Sequence, residues 1–368
     1  MRQTLRLGKI SGIPIGLNWG LILIAGFYLF NLGAGFLPAA VPGQSAFIYW
    51  TFAAVGVVAL FGSILAHELG QAIVAQRNNI GVKAITLWLL GGVAELEREA
   101  DDPGVEFRVA IAGPAVSVAL AAVFGVLTFV VNAVFGADVF TFTLVYLAAG
   151  NLILAIFNLI PAAPLDGGRV LTSILWWRNN NRHISRAKSA RVGEIFGTIL
   201  LGLGLLGVFT GNGTFVLAFI GFFLRTAAKG ERRRALMFEA ASHADVATSM
   251  LPLAAPITSG ITVAGLEAMT QPGGREIAFP LWAGNGLVGL VPSTAISQTP
   301  VTNRPTLLVE DVVVSWDNFT SAFVDEPMSV VVERATHMGK AHVLVYDSAG
   351  RRVGYLPLDG SLRLPVPA

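Results

Sequence analysis

The chain has no cysteine among its 368 residues, which excludes disulfides and every zinc site built on thiolates. Charge is almost as scarce. Asp, Glu, Lys and Arg make up 13% of the sequence, against roughly 25% in ordinary soluble domains. The deficit is concentrated. Residues 10–66 hold no charged side chain, residues 109–165 hold only Asp138, and residues 195–224 hold none. A bilayer is crossed by about 20 apolar residues, so an ordinary water-soluble domain is excluded over this part of the chain. No basic stripe stands outside the flanks of the apolar runs, so a nucleic-acid surface is excluded as well.

What is present reads as a polytopic membrane protein. About six membrane-spanning helices are expected, near residues 14–32, 47–74, 107–134, 140–157, 194–209 and 214–224, the last one short. A further apolar piece at 170–177 reads as a half-helix or the end of the fourth span. The first span begins about ten residues into the chain with no A-x-A-type site after it, so it reads as a retained helix. Basic residues set the orientation. Arg2, Arg6 and Lys9 precede the first span; Arg178, Arg182, Arg186, Lys188 and Arg191 follow the fourth; Arg225, Lys229 and Arg232 to Arg234 follow the sixth. The positive-inside rule puts all three groups, and both termini, in the cytoplasm.

The chain changes character near residue 235. Up to Ala235 there are 18 Lys and Arg against 11 Asp and Glu; beyond it there are 7 against 12. Residues 1–235 therefore read as a membrane domain. Residues 236–368 read as a cytoplasmic α/β domain of two similar half-units, with strands at 286–291, 342–346 and 352–356 and helices at 263–269 and 329–338. The basic stretch at 229–234 and the Ala/Glu-rich helix after it form the linker.

Ionisable side chains inside a span are costly and mark function. His67 is the one histidine in any expected span. It opens Ala66-His67-Glu68-Leu69-Gly70-Gln71, which reads H-E-x-x-Q. An intact H-E-x-x-H puts two imidazoles one helical turn apart, with a glutamate beside them to activate a metal-bound water. Here the second imidazole is a carboxamide. A second constellation, residues 158–169 (NLIPAAPLDGGR), ends the fourth span. Its prolines break the helix and Gly167 and Gly168 allow a sharp turn. Asp166 is thereby delivered at membrane depth on irregular backbone, which is tolerated there only inside protein or beside a water-filled cavity.

The two motifs in this order resemble the site-2 protease family of intramembrane zinc metalloproteases. That family pairs H-E-x-x-H with a later N-x-x-P-x-x-P-L-D-G-G, matched here at Asn158, Pro161, Pro164, Leu165, Asp166, Gly167 and Gly168. Residues 86–94 (TLWLLGGVA) are similar to the family's membrane-associated β-loop, and residues 112–117 (AGPAVS) to the start of the next span. The tail resembles a pair of CBS modules.

The resemblance implies one Zn²⁺ ion held by His67, Asp166 and the residue at 71, with Glu68 as general base. It implies substrate contacts at Asn158, Pro161, Leu89, Gly91 and Gly92, and cleavage of a single-span membrane protein near the cytoplasmic side. Leu87, Trp88, Leu89 and Leu90 are expected to dip into the lipid bilayer. The tail would be regulatory, with a homodimer formed by paired tails. No adenosine nucleotide is expected to bind there, because Val291-Pro-Ser-Thr-Ala replaces the usual aspartate region. Gln71 leaves three readings open: a working protease with a poorer site, an inactive homologue that binds membrane clients, or a substituted form of an active parent. From another class, a CBS-regulated transporter or channel would use broken helices, but inverted repeats and a pore-lining polar stripe are lacking.

Because the chain has no cysteine, single cysteines report topology without a background. A cysteine at position 182 should react with a membrane-impermeant maleimide from the cytoplasmic side, and one at 211 from the opposite side. The reverse pattern would invert the orientation.

Overall fold

The computed structural model describes residues 4–88, 91–211, 215–270, 277–284 and 286–358. The chain divides into two compact units, residues 1–233 and 234–368.

The first unit opens with a hairpin, β1 (Leu5–Ile10) and β2 (Ile13–Leu17). An apolar run of 21 residues follows, Gly20–Ala40. It comprises α1 (Gly20–Phe30), a π-helical stretch at Asn31–Phe36 and α2 (Leu37–Ala40). Next come α3 (Ala46–Arg77), a second hairpin of β3 (Val82–Trp88) and β4 (Gly91–Leu96), and α4 (Pro103–Phe135). The unit closes with α5 (Val139–Asn158), α6 (Asp166–Asn179), α7 (Arg182–Phe209) and α8 (Phe215–Ser242), whose last turns lie beyond residue 233. The hairpins join into one sheet of order β1-β2-β3-β4, with β2 and β3 parallel.

Among the described residues, five helices are long and apolar enough to cross a membrane: Gly20–Ala40, α3, α4, α5 and α7. The sixth apolar stretch forms the start of α8. Its ten residues before Arg225 rise only about 15 Å, half the hydrocarbon thickness. The helix ends follow local chemistry. Ser45, Asp102, Asp138 and Asn181 each accept a hydrogen bond from the backbone N–H three residues on, as N-caps do.

Three expectations need correction. The first span does not start at residue 14: Ile13 and Ile15 are buried in β2, and the helix runs eight residues past Leu32. With no charge between residues 10 and 66, the composition gave no marker for either boundary. Leu87 does not face lipid. It is 3% exposed, because β3 is held between β2 and β4 and turns that residue into the protein. Leu89 and Leu90 lie outside the described residues. The basic stretch at 229–234 is no separate linker but an unbroken part of α8.

Small residues let the last helices close on one another, as membrane interfaces favour. Gly204 of α7 lies against the Ala218 backbone of α8, and Gly221 of α8 against the Leu201 backbone of α7. The segment between α5 and α6 packs in the same way. A Cβ on Gly193 of α7 would strike the Ala163 carbonyl, so Gly193 is what lets the segment leading to Asp166 lie flat on α7.

The second unit carries two similar α/β halves. After α9 (Val246–Ser249) and β5 (Leu251–Pro252), the first half runs β6 (Ile257–Thr258), α10 (Val263–Met269), β7 (Ala278–Ala283), β8 (Gly286–Pro292) and α11 (Thr294–Gln298). After β9 (Val314–Ser315), the second runs β10 (Phe319–Phe323), α12 (Met328–His337), β11 (His342–Tyr346) and β12 (Arg352–Pro357). In both halves the first strand pairs parallel with the second, and the second antiparallel with the third. The halves exchange edges: β5 joins the later sheet and β9 the earlier. Ala278, Leu290, Leu344 and Tyr355 form one buried cluster drawn from both sheets.

Gly193→Val should overpack the α7 contact and lower stability by about 1–3 kcal/mol. Gly202→Ala, with open space around its added methyl, should cause no loss. Thermal unfolding of the detergent-solubilised chain separates the two.

Candidate metal centre

Residues 67 and 71 lie four apart on α3, so one helix face presents both. His67 is 3% exposed and Gln71 6%. Asp166 reaches them from the first turn of α6, directly after the irregular segment 159–165. The three side chains meet. His67 Nε2 lies 2.9 Å from Asp166 Oδ2, Gln71 Nε2 donates to Asp166 Oδ1 at 2.8 Å, and the Gln71 and His67 Nε2 atoms are 3.4 Å apart.

A fourth side chain sets the imidazole. His67 Nδ1 is 2.9 Å from the hydroxyl of Ser117 on α4, a residue with no exposure at all. One turn earlier, Gly113 clears the space. A Cβ there would strike the His67 ring and stand 2.8 Å from Gln71 Nε2. Thus α4 presses a glycine against the site and supports the imidazole from behind with a serine.

Glu68 faces another way. Its Oε2 accepts the backbone N–H of Ala94 in β4 at 3.1 Å, and a Cβ on Gly92 would collide with its side chain. Gly92 is therefore beside Glu68, and Gly91, at φ 130°, begins the same strand. Two expected residues are not drawn into this cluster. Asn158 donates to the Leu154 carbonyl of its own helix, and Pro161 is exposed. Leu89 lies outside the described residues. Sequence reading did not assign roles to Ser117, Gly113 or the Ala94 amide. Only the run of small residues at 112–117 signalled the first two.

An ion-pair network borders the site. Arg169, one turn after Asp166 on α6, pairs with Glu106 of α4 at 2.9 Å. Arg182 of α7 pairs with Glu99 at 2.8 Å and reaches Glu106 at 3.9 Å. Arg186 joins Glu99 to Glu231 of α8, both at 2.5 Å. For Glu99, burial works to raise the carboxyl, but Arg186 and Arg182 overcome it and hold it below the usual carboxylate range. The network ties α4, α6, α7, α8 and the turn after β4 to one another.

The donor set can be tested for zinc. An imidazole nitrogen and a carboxylate oxygen 2.9 Å apart need a proton or a cation between them, since both are acceptors when deprotonated. Tetrahedral ligands about 2 Å from one ion stand roughly 3.3 Å apart; His67 Nε2 and Asp166 Oδ2, 2.9 Å apart, come near that spacing, whereas Gln71 turns its NH2 to Asp166 and would offer its oxygen only with the amide rotated. Imidazole and carboxylate are good zinc ligands; the Gln71 carboxamide adds only a neutral oxygen. Among the described residues no group of three His, Asp, Glu or Cys could hold a metal, and the missing third member is residue 71. The residues fit the ion with two strong donors and one weak one.

Known proteins resemble this chain in sequence. The model of peptidase family M50 matches residues 55–142 and 132–203. Rip3 of Mycobacterium tuberculosis, named for a zinc metalloprotease, is 35% identical over 342 residues, covering 92% of this chain and 87% of that one. The sll0528 protein of Synechocystis, named in the same way, is 32% identical over 365 residues, covering 97% and 94%. The solved site-2 protease from Methanocaldococcus jannaschii is 32% identical, with a TM-score of 0.44, over 62% of this chain and 95% of that one. Identity of this level across nearly the full length of both Rip3 and sll0528 means that this multi-pass membrane chain belongs to peptidase family M50, the site-2 protease family of intramembrane zinc metalloproteases.

Proposed function

We propose that the chain cleaves single-span membrane proteins at a zinc site held by His67, Asp166 and the Gln71 carboxamide oxygen, and that the weak third donor slows it. The observation that carries this reading is the meeting of His67, Gln71 and Asp166 within 3.4 Å. When bound, zinc supplies Lewis acidity that polarises the scissile carbonyl and acidifies water. The chain's own residues do the rest. Ser117 fixes the His67 ring, as outer partners of metal-bound histidines do. Glu68 takes the proton from the attacking water and returns it to the leaving amine. The substrate lies extended along the outer edge of β4, adding a strand to the sheet, with Gly91 and Gly92 along it and with Asn158 and Pro161 as further substrate contacts.

The basic clusters support an orientation with both termini in the cytoplasm. The repeated strand–helix–hairpin halves support reading residues 236–368 as a CBS-pair-like regulatory module through which two copies pair. The sequence supports no nucleotide site in it. Titrating the full chain with ATP or AMP in a calorimeter should give no binding heat; a saturable signal would make the module a nucleotide sensor.

Gln71→His restores an imidazole at the right helical spacing. Zinc affinity should rise at least about ten-fold, the lower end of what losing even a supporting residue costs a zinc site. Cleavage of a single-span model substrate with a helix-destabilised segment should rise with it. Glu68→Gln in that background should abolish cleavage and leave the zinc content unchanged. No gain from Gln71→His would mean that the chain binds membrane clients without cutting them.

A further inference from the structure

Glu68 holds a backbone group that the proposed substrate also needs. β4 is an edge strand of the sheet. Backbone N–H groups along a strand point alternately to its two sides. In β4 and just beyond it, Glu97 N–H donates to the Gly81 carbonyl, toward β3, whereas Ala94 N–H donates away from β3 to Glu68 Oε2. The alternation puts the N–H groups of Gly92 and Leu96 on the same outer side as that of Ala94. These are the donors an added strand takes up. Of the three, Ala94 is the one directed at Glu68.

The contact is close because Gly92 has no side chain. A Cβ there would occupy the space of Glu68 Cγ, so Glu68 lies directly against the edge where an extended segment would pair. An amide proton makes one good hydrogen bond at a time. The bond from Ala94 can go to the Glu68 carboxylate or to a carbonyl of an incoming strand, not to both.

Resting on the substrate-docking reading above, we propose that Glu68 and the docking strand compete for the Ala94 N–H, so that strand addition itself releases the Glu68 carboxylate for proton transfer. Glu68 is then parked on the sheet edge until a segment is threaded along β4. The base is freed by the same event that brings a peptide bond to it, and a substrate that stays helical leaves it parked. Gly92 is a positioning residue in this scheme, because any side chain there would push Glu68 off the edge.

The test is binding, measured on the full chain in detergent with a fluorescent single-span peptide carrying a helix-destabilised segment. Two variants, both without the catalytic carboxylate, are compared: Glu68→Gln, which keeps an acceptor for Ala94, and Glu68→Met, which is similarly long and keeps none. Glu68→Met should bind the peptide about three- to ten-fold more tightly than Glu68→Gln, the scale of one net hydrogen bond. Ala94→Pro removes the contested donor on an edge strand, where proline is accepted. It should weaken binding and erase the difference between the two Glu68 variants. Equal affinities for Glu68→Gln and Glu68→Met, with Ala94→Pro still weakening binding, would overturn the competition while leaving strand docking intact. Unchanged binding in Ala94→Pro, with the fold retained by circular dichroism, would remove docking on β4 and the competition with it.

Discussion

The first unit is organised around a polar cluster buried in an apolar helix bundle. His67 and Asp166 are 99 positions apart in the chain and 2.9 Å apart in space. Each would be costly to bury alone, since an unpaired charge or imidazole loses its water without compensation. Together with Gln71 and Ser117 they satisfy one another, and that requirement fixes the elements that carry them. α3 must bring two residues of one face to α4, α4 must approach through Gly113, and α6 must begin where the chain leaves the irregular segment at 159–165. The tolerance for that segment comes from the same packing. Its middle, Ala162 and Ala163, is buried, with Ala163 against Gly193 of α7, so that part of the non-helical backbone is covered by protein, the condition under which it persists at membrane depth.

The surrounding charges follow a related logic. Arg169 stands three residues after Asp166 and is neutralised by Glu106 of α4, and Arg182 and Arg186 extend the pairing to Glu99 and Glu231. A basic cluster that reads in sequence as a topological signal is in the fold also a set of struts between helices. The four-stranded sheet is the other irregular feature of a mainly helical unit. Its β4 edge faces Glu68, which joins the base of the proposed reaction to the surface proposed to receive the substrate.

The second unit shows how far local pattern reaches. Strands at 342–346 and 352–356 were legible as short runs rich in Val, Leu and Tyr on either side of a turn, and the helix at 263–269 from Val263 and Leu266 three positions apart. The exchange of β5 and β9 between the sheets was not. Each is two residues long, and pairing over so short a stretch is decided by which edge is within reach. In the first unit the spans were legible from missing charge. Their ends were less so: residues 13–17 are as apolar as a span, and only alternation of Ile13 and Ile15 into the core distinguishes β2.

By itself the sequence determined the membrane class, the two-part organisation and the residues with the chemistry to hold a metal, because each is written in residue type and spacing along a single element. It also placed a carboxamide at position 71, a fact no fold can alter. The tertiary structure decided what those residues touch. Ser117 behind the imidazole, Gly113 beneath it and the Ala94 amide on Glu68 come from elements that share no periodicity with α3. Their roles arise only from the distances that helix packing and strand register impose.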